Sequence, residues 1–276
     1  MRLIQRVFQV ISWLSLDVVI GAMASLYFFQ ELLHVSLDWP AFVLLGLAVW
    51  TIYNLDHLLD ARKITNTSSP RRAFHRKYQV ILGVGILIAV LLGLAGAFFW
   101  MGWGKEFQLT LILAFSMFGC RWAIQKFGPG LLKEVSIAIF YVVGTIWLPL
   151  LRAEAADLSW AVLIFAALFF VLALLNLWML SFLDREEDRQ HGFLSIAQVY
   201  PSLQLIQWIR SLSFLGIFAT LAVFILLPSF YRPFSCLLLL LLLVHYLTFF
   251  QTRLSSTQKR QRMELAFWIP WLLLWI

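Results

Sequence analysis

Apolar residues in this chain come in long unbroken runs, parted by short polar stretches. Most runs last 17 to 25 residues, and a helix of about 20 residues crosses about 30 Å of hydrocarbon. In lipid every backbone N–H and C=O must be paired within its own segment or around a closed barrel, so such runs predict helices. The short alternating segments of a barrel are absent. The spans read as 8–30, 40–59, 78–100, 107–126, 132–151, 159–183, 204–227, 234–251 and 264–276. The last is short, reaching only about 20 Å. The expected fold class is all-α: a polytopic membrane protein of about nine transmembrane helices. The longest polar stretches are 60–77, which holds the turn-forming Asn66-Thr67-Ser68-Ser69-Pro70, and 252–263. No internal repeat or low-complexity segment divides the chain, so 1–276 is read as a single membrane-embedded domain.

Composition agrees. The chain is 62% hydrophobic and 13% charged, where a soluble domain carries roughly a quarter charged residues. A net charge of +7 would suit nucleic acid on a solvated domain. Here the charges sit in short loops between spans, so no nucleic-acid partner is expected. Their distribution sets an orientation instead. With the N-terminus inside, one set of loops holds 18 Lys and Arg and the other holds only Lys105, Arg152 and Arg232. By the positive-inside rule the N-terminus is cytoplasmic, and an odd span number puts the C-terminus outside. The expected location is a bacterial inner membrane. The first run lacks a small-residue cleavage pattern and reads as a true span. Cys120 and Cys236 fall near opposite faces, beyond disulfide reach.

Two acidic clusters carry the candidate chemistry. Asp56 and Asp60 close the second span, and Asp184, Glu186, Glu187 and Asp188 close the sixth. In each, two aspartates four residues apart lie on one helix face, and Glu187 lies close to that face. Like charges at this spacing repel, a helix C-terminus disfavours anions, and the cytoplasmic leaflet favours cations. Each effect is modest, at about 1 kcal/mol or less. Together they describe an arrangement that calls for a counter-cation, and Mg²⁺ with phosphate oxygens suits a few carboxylates. Arg62, Lys63, Arg71, Arg72, Arg76, Lys77 and Lys133 read as positive-inside anchors. Arg121 and Lys126 close the fourth span before Gly128-Pro129-Gly130 and are candidates for contacting a diphosphate.

These motifs resemble the UbiA superfamily of intramembrane prenyltransferases. Asp184 to Ala197, DREEDRQHGFLSIA, is similar to the family's second aspartate motif. Asp56 and Asp60 fall where its first motif, NDxxDxxxD, ends. The departures are specific. Ile52 and Tyr53 stand where the family has Asn and Asp, Asn54 is two residues out of register, and Trp122 with Lys126 replaces a Tyr-xxx-Lys pair. The resemblance implies Mg²⁺-dependent transfer of a prenyl group from an isoprenoid diphosphate donor to a small acceptor within the membrane lipid. It implies Asp56, Asp60, Asp184, Glu187 and Asp188 as metal ligands, with Arg121 and Lys126 on the diphosphate. Nothing points to a partner protein.

Other polar residues lie within the spans. Asp17 sits inside the first, as a functional group or as half of a structural pair. Asn176, on the face of Asp184 two turns earlier, lines a pocket or bonds a neighbouring helix. Tyr53 is a third pocket candidate. His191 reads as a loop residue and His245 as a packing residue. Two rival functions remain: a cation-coupled transporter, against which the acids gather at one face, and a catalytically inactive lipid-binding or assembly relative, to which the missing Asn-Asp points.

Overall fold

Helices carry the chain wherever it is described. The computed structural model describes residues 10–63, 70–127, 130–192 and 195–275, with backbone alone at 63, 125–127, 130 and 191. No strand occurs among the described residues. The helices are α1 (Leu16–Leu32), α2 (Trp39–Lys63), α3 (Pro70–Lys77), α4 (Gln79–Met101), α5 (Lys105–Phe127) and α6 (Gly130–Arg152). They continue with α7 (Trp160–Leu183), α8 (Arg185–His191), α9 (Ile196–Val199), α10 (Ser202–Leu226), α11 (Arg232–Phe250) and α12 (Ser256–Ala266). Short 3₁₀ segments cover Ser229–Tyr231 and Ile269–Trp275. Among the described residues, 7 helices are long and apolar enough to cross a membrane: Trp39–Arg62, Gln79–Met101, Lys105–Ile124, Leu131–Arg152, Trp160–Leu183, Ser202–Leu226 and Ser229–Phe250. That architecture is compatible with a multi-pass integral membrane protein.

Outward faces tell the same story. Little of α4 or α5 is buried, and Phe99 and Phe115 are 84% and 75% exposed. In water so much contiguous apolar surface would drive association, whereas lipid tails solvate it.

At both chain ends the structure differs from the expected spans. Residues 10–13 are helical, but Ser15 takes a left-handed φ of 55° and α1 starts only at Leu16. A non-glycine residue in that conformation interrupts the i→i−4 ladder. At the other end α12 stops at Ala266, and the chain tightens into a 3₁₀ segment containing Pro270, whose ring nitrogen has no proton to donate.

Contacts gather the chain into two compact units: Met1–Met23 with Asp38–Gln108, and Ala24–Leu37 with Leu109–Ile276. In the first, α2 packs on α4 and α3 packs on the end of α2. Buried Asn54 ties this unit together by donating from Nδ2 to the carbonyls of Leu14 (3.1 Å) and Trp50 (2.9 Å). In the second, α7 is the most enclosed of the long helices together with α11. Its Phe165 and Phe169 meet Phe28 at 6.1 and 5.3 Å between ring centroids, and Phe234 meets Phe28 edge-on at 5.2 Å. Gly216 lets α10 close on this core: a Cβ there would come within 3.3 Å of Leu242 and 3.4 Å of Val171.

Phe169→Ala is expected to cost about 3–5 kcal/mol through the cavity it leaves, read as a lower unfolding midpoint in mixed micelles. Phe115→Ala, on a lipid-facing position, serves as the control and should leave the midpoint within about 0.5 kcal/mol of the parent.

Candidate functional site

The acidic sequence after α7 is split by the fold. Asp184 is at once the C-cap of α7 and the residue opening α8. Glu186, Glu187 and Asp188 therefore occupy the first turn of a new helix, where the macrodipole favours carboxylates. The expectation that the whole cluster suffers a helix C-terminus is corrected in that respect. The i,i+4 relation of the two aspartates survives, since the Asp188 N–H donates to the Asp184 carbonyl at 2.9 Å.

Asp184 has a built-in counter-cation. Both of its carboxylate oxygens accept from Arg260 Nη2, on α12. Arg260 Nη1 also lies 3.9 Å from Glu264 Oε1, one turn on. A capping box between Ser255 and Gln258 starts α12, and Lys259 Nζ donates to the Phe249 carbonyl at 2.6 Å. Buried Met263 and Glu264 seat its inner face. Burial disfavours the Arg260 charge, but Asp184, Glu264 and Glu187 together hold its pKa above the ordinary arginine value. One guanidinium thus answers three carboxylates.

A further acid stands beside them. Glu134, near the start of α6, is only 5% exposed. Its Oε1 accepts the Ile196 N–H at 2.9 Å, and Asp188 is near enough for its charge to act on the Glu134 carboxylate. Its Oε2 is buried without a hydrogen-bond partner, as is the hydroxyl of neighbouring Ser195. Sequence reading missed Glu134, Glu264 and Arg260. Glu134 falls just inside the expected span 132–151, beside Lys133, and no local pattern sets it apart. The signal available for Arg260 and Glu264 is their i,i+4 spacing.

In the first unit, Asp56 and Asp60 do occupy the last turns of α2, half-buried. The basic α3 lies against that end. Arg71 Nη2 meets His57 Nδ1 at 2.9 Å, beside Asp56 in sequence. His75 is fully buried, with Nδ1 3.0 Å from the Arg71 carbonyl and Nε2 3.4 Å from Asn54 Oδ1. Its ring also meets that of His57 at 5.2 Å. Asn54, out of register for the motif, is therefore a structural residue. Tyr53 is half-buried, 6.4 Å from the His57 ring. The break at Ser15 moves Asp17 from mid-span to the first turn of α1, where Oδ1 accepts the Val18 N–H at 2.9 Å.

Arg121 is half-buried on α5, while the Lys126 side chain lies outside the described residues. So do Arg2, Arg6, Asn66-Thr67-Ser68-Ser69, Gly128-Pro129 and the side chains of Lys63 and His191. Asn176 Oδ1 is buried and makes no helix–helix hydrogen bond. His245 packs as expected, with Nδ1 2.8 Å from the Leu241 carbonyl and its ring edge-on to Phe267. Both cysteines are free and exposed. At the end of α7 remote from Asp184, an open cleft of about 530 Å³ is lined by His34, Val35, Ser36, Arg152, Glu154 and Asp157. His34 Nδ1 pairs there with Asp157 at 3.2 Å.

No known protein family, curated protein or solved structure matches the chain. Its chemistry must be argued from the site itself. Among the described residues, no group of three or more His, Cys, Asp and Glu side chains is arranged to hold a metal ion. Mg²⁺ does not require such a cage: it is commonly held by one or two carboxylates, waters and the phosphate oxygens of a substrate. Asp184, Glu187 and Asp188 offer hard oxygen donors only, which fits that ion in kind.

Two outcomes follow from this geometry. Burial pulls the His75 pKa below its usual 6.5, with the Arg71 charge adding to that and the bond to the Arg71 carbonyl opposing it. The unfolded segment then binds a proton that the docked helix does not, so docking is complete above about pH 6.5 and weakens as pH falls below it. The protection factors of the α3 amides, exchange rates corrected for the intrinsic rate at each pH, should fall between pH 7.5 and 5, and His75→Phe should flatten the profile. Protection factors that stay unchanged in the parent protein would contradict this account. Second, Arg260→Gln should cost about 1–2 kcal/mol, a figure discounted because the Asp184 side chain is 35% exposed. A double-mutant cycle with Asp184→Asn should show non-additivity of similar size.

Proposed function

We propose that the chain is a UbiA-type intramembrane prenyltransferase that moves a prenyl group from an isoprenoid diphosphate to a small acceptor. The observation that carries this reading is the gathering of acids from separate helices around the end of α7: Asp184, Glu187 and Asp188 in sequence with it, and Glu264 from α12. Nine spans, a cytoplasmic N-terminus, an outside C-terminus and a bacterial inner membrane belong to the same reading. In it, α1 with the helical residues before it and the segment ending at Trp275 supply the two spans beyond the seven.

The Mg²⁺ ligands in this reading are Asp56, Asp60, Asp184, Glu187 and Asp188, and the ion supplies Lewis-acid neutralisation of a departing diphosphate. Arg121 and Lys126 add positive charge for the diphosphate oxygens. Arg260 holds Asp184 in place between turnovers and must share that carboxylate when the donor is bound. Asn176, Tyr53 and Asp17 are the candidate pocket residues. The apolar prenyl tail is at home among lipid-facing helices, and aromatic rings favour a neighbouring allylic cation. A second reading, an inactive lipid-binding or assembly relative, is favoured by Arg260 seated on Asp184 and by the half-missing first motif.

Purified protein in detergent, given a labelled allylic diphosphate and Mg²⁺, should release diphosphate. EDTA should stop the release. Asp184→Ala and Asp56→Ala should each lower it by about 100-fold or more, the size of effect seen when one transition-state contact is lost. Mg²⁺-dependent binding of an unreactive diphosphate analogue without release would favour the inactive relative. Neither release nor binding would remove both.

A further inference from the structure

Cationic and lipid-facing side chains share one continuous helix face where α3 runs into α4. Only Tyr78 parts the two helices, and the hydrogen-bond ladder passes through it. The Tyr78 N–H donates to the Phe74 carbonyl at 3.0 Å, and the Leu82 N–H donates to the Tyr78 carbonyl at 2.9 Å. Helical register therefore carries across the join, and burial follows it. His75, Leu82, Ile86 and Ala89, at helical spacing, are buried along one side. Arg76, Lys77, Val80, Ile81 and Val84 are exposed along the other.

The order of chemistry along the exposed side selects its occupant. From Gln79 onward α4 is apolar enough to cross a membrane, and Val80 and Ile81, 73% and 69% exposed, begin its outward surface. Arg76 and Lys77 stand one turn earlier, about 6 Å along the axis, at the level of headgroup phosphates rather than of acyl chains. Lys77 Nζ lies 5.2 Å from the centroid of the Tyr78 ring, which keeps the ammonium at that boundary. No Asp or Glu occurs in 70–101, so the charge this helix itself brings to the face is positive. Arg71 and His75 turn instead to His57 and Asn54 on α2. We propose that this face binds an anionic phospholipid, with the phosphodiester at Arg76 and Lys77 and an acyl chain along Val80, Ile81 and Val84. Guanidinium and ammonium groups both donate charge-assisted hydrogen bonds to phosphate oxygens. A zwitterionic lipid fits the apolar part equally, but its own cation competes for the phosphate, so net charge decides between the two. The proposal is independent of the prenyl-transfer reading.

The test mixes the full chain in detergent with equal amounts of phosphatidylglycerol and phosphatidylcholine of matched acyl chains, and native mass spectrometry reads the lipid retained. The parent protein should keep phosphatidylglycerol over phosphatidylcholine by about tenfold. Arg76→Gln and Lys77→Gln should each lower that preference about fivefold, the effect of one basic residue at an anionic surface, and the double substitution should abolish it. Arg76→Lys with Lys77→Arg, which keeps both charges, should preserve it. Arg253→Gln with Arg262→Gln removes two exposed cations outside this face and should leave most of the preference in place, which controls for net charge. Equal retention of the two lipids by the parent protein would overturn the proposal, as would a preference that the control pair lowers as far as the α3 pair does. Displacement of the lipid by a soluble diphosphate analogue at constant ionic strength would also overturn it, assigning Arg76 and Lys77 to a soluble anion.

Discussion

Hydrocarbon cannot hydrogen-bond to a peptide group, and that constraint shapes everything else in this chain. Each crossing segment must satisfy its own N–H and C=O groups, so the long helices are apolar all round. Charged and amide side chains are pushed to their ends or into contact with one another. Polar chemistry is therefore concentrated where helices stop: at the end of α2, at the junction of α7 and α8, and at the start of α6 and α12. A helix end in such a protein is the one place where carboxylates, guanidinium groups and unpaired backbone groups can meet at low dielectric cost.

At the end of α7 this produces a balance of opposed charges. Asp184 is bound by Arg260, and Arg260 in turn is surrounded by Glu264 and Glu187. A pairing of this kind orders the short α12 against the bundle and keeps acidic side chains from repelling one another. It also places a resident cation on a carboxylate that the proposed function assigns to Mg²⁺. In that reading Mg²⁺ and diphosphate would bring both charges, and Arg260 would turn from Asp184 to a phosphate oxygen without leaving a buried charge unanswered. The same logic separates Glu134 from the cluster. Its carboxylate is buried and anchored by the Ile196 amide, and no arginine is paired with it among the described residues.

The long helices were legible because hydrophobic runs leave no alternative in lipid, and the two acidic clusters were legible because charge is rare there. What escaped depends on contacts between distant positions. Arg260 meets Asp184 across 76 residues, and Glu134 meets the Ile196 amide across 62. No local pattern announces either pair. Backbone breaks escaped as well. Ser15 is an ordinary residue for a helix interior, yet its left-handed turn moves Asp17 to a helix start, where a carboxylate is expected. Likewise the reversal at Asp184 changes three acids from residues that strain a helix C-terminus into residues that suit an N-terminus. The i,i+4 relation of Asp184 and Asp188 persists across the break, whereas the expected helix C-terminus does not.

The central claim is that the acids at the α7–α8 junction bind a divalent cation together with a diphosphate. Electron paramagnetic resonance of Mn²⁺ added to the full chain in detergent, with and without an unreactive diphosphate analogue, tests it directly. The account predicts bound Mn²⁺ that tightens when the analogue is present and is lost in Asp184→Asn and Asp188→Asn. Mn²⁺ binding that is absent, or that ignores both the analogue and the substitutions, would contradict it.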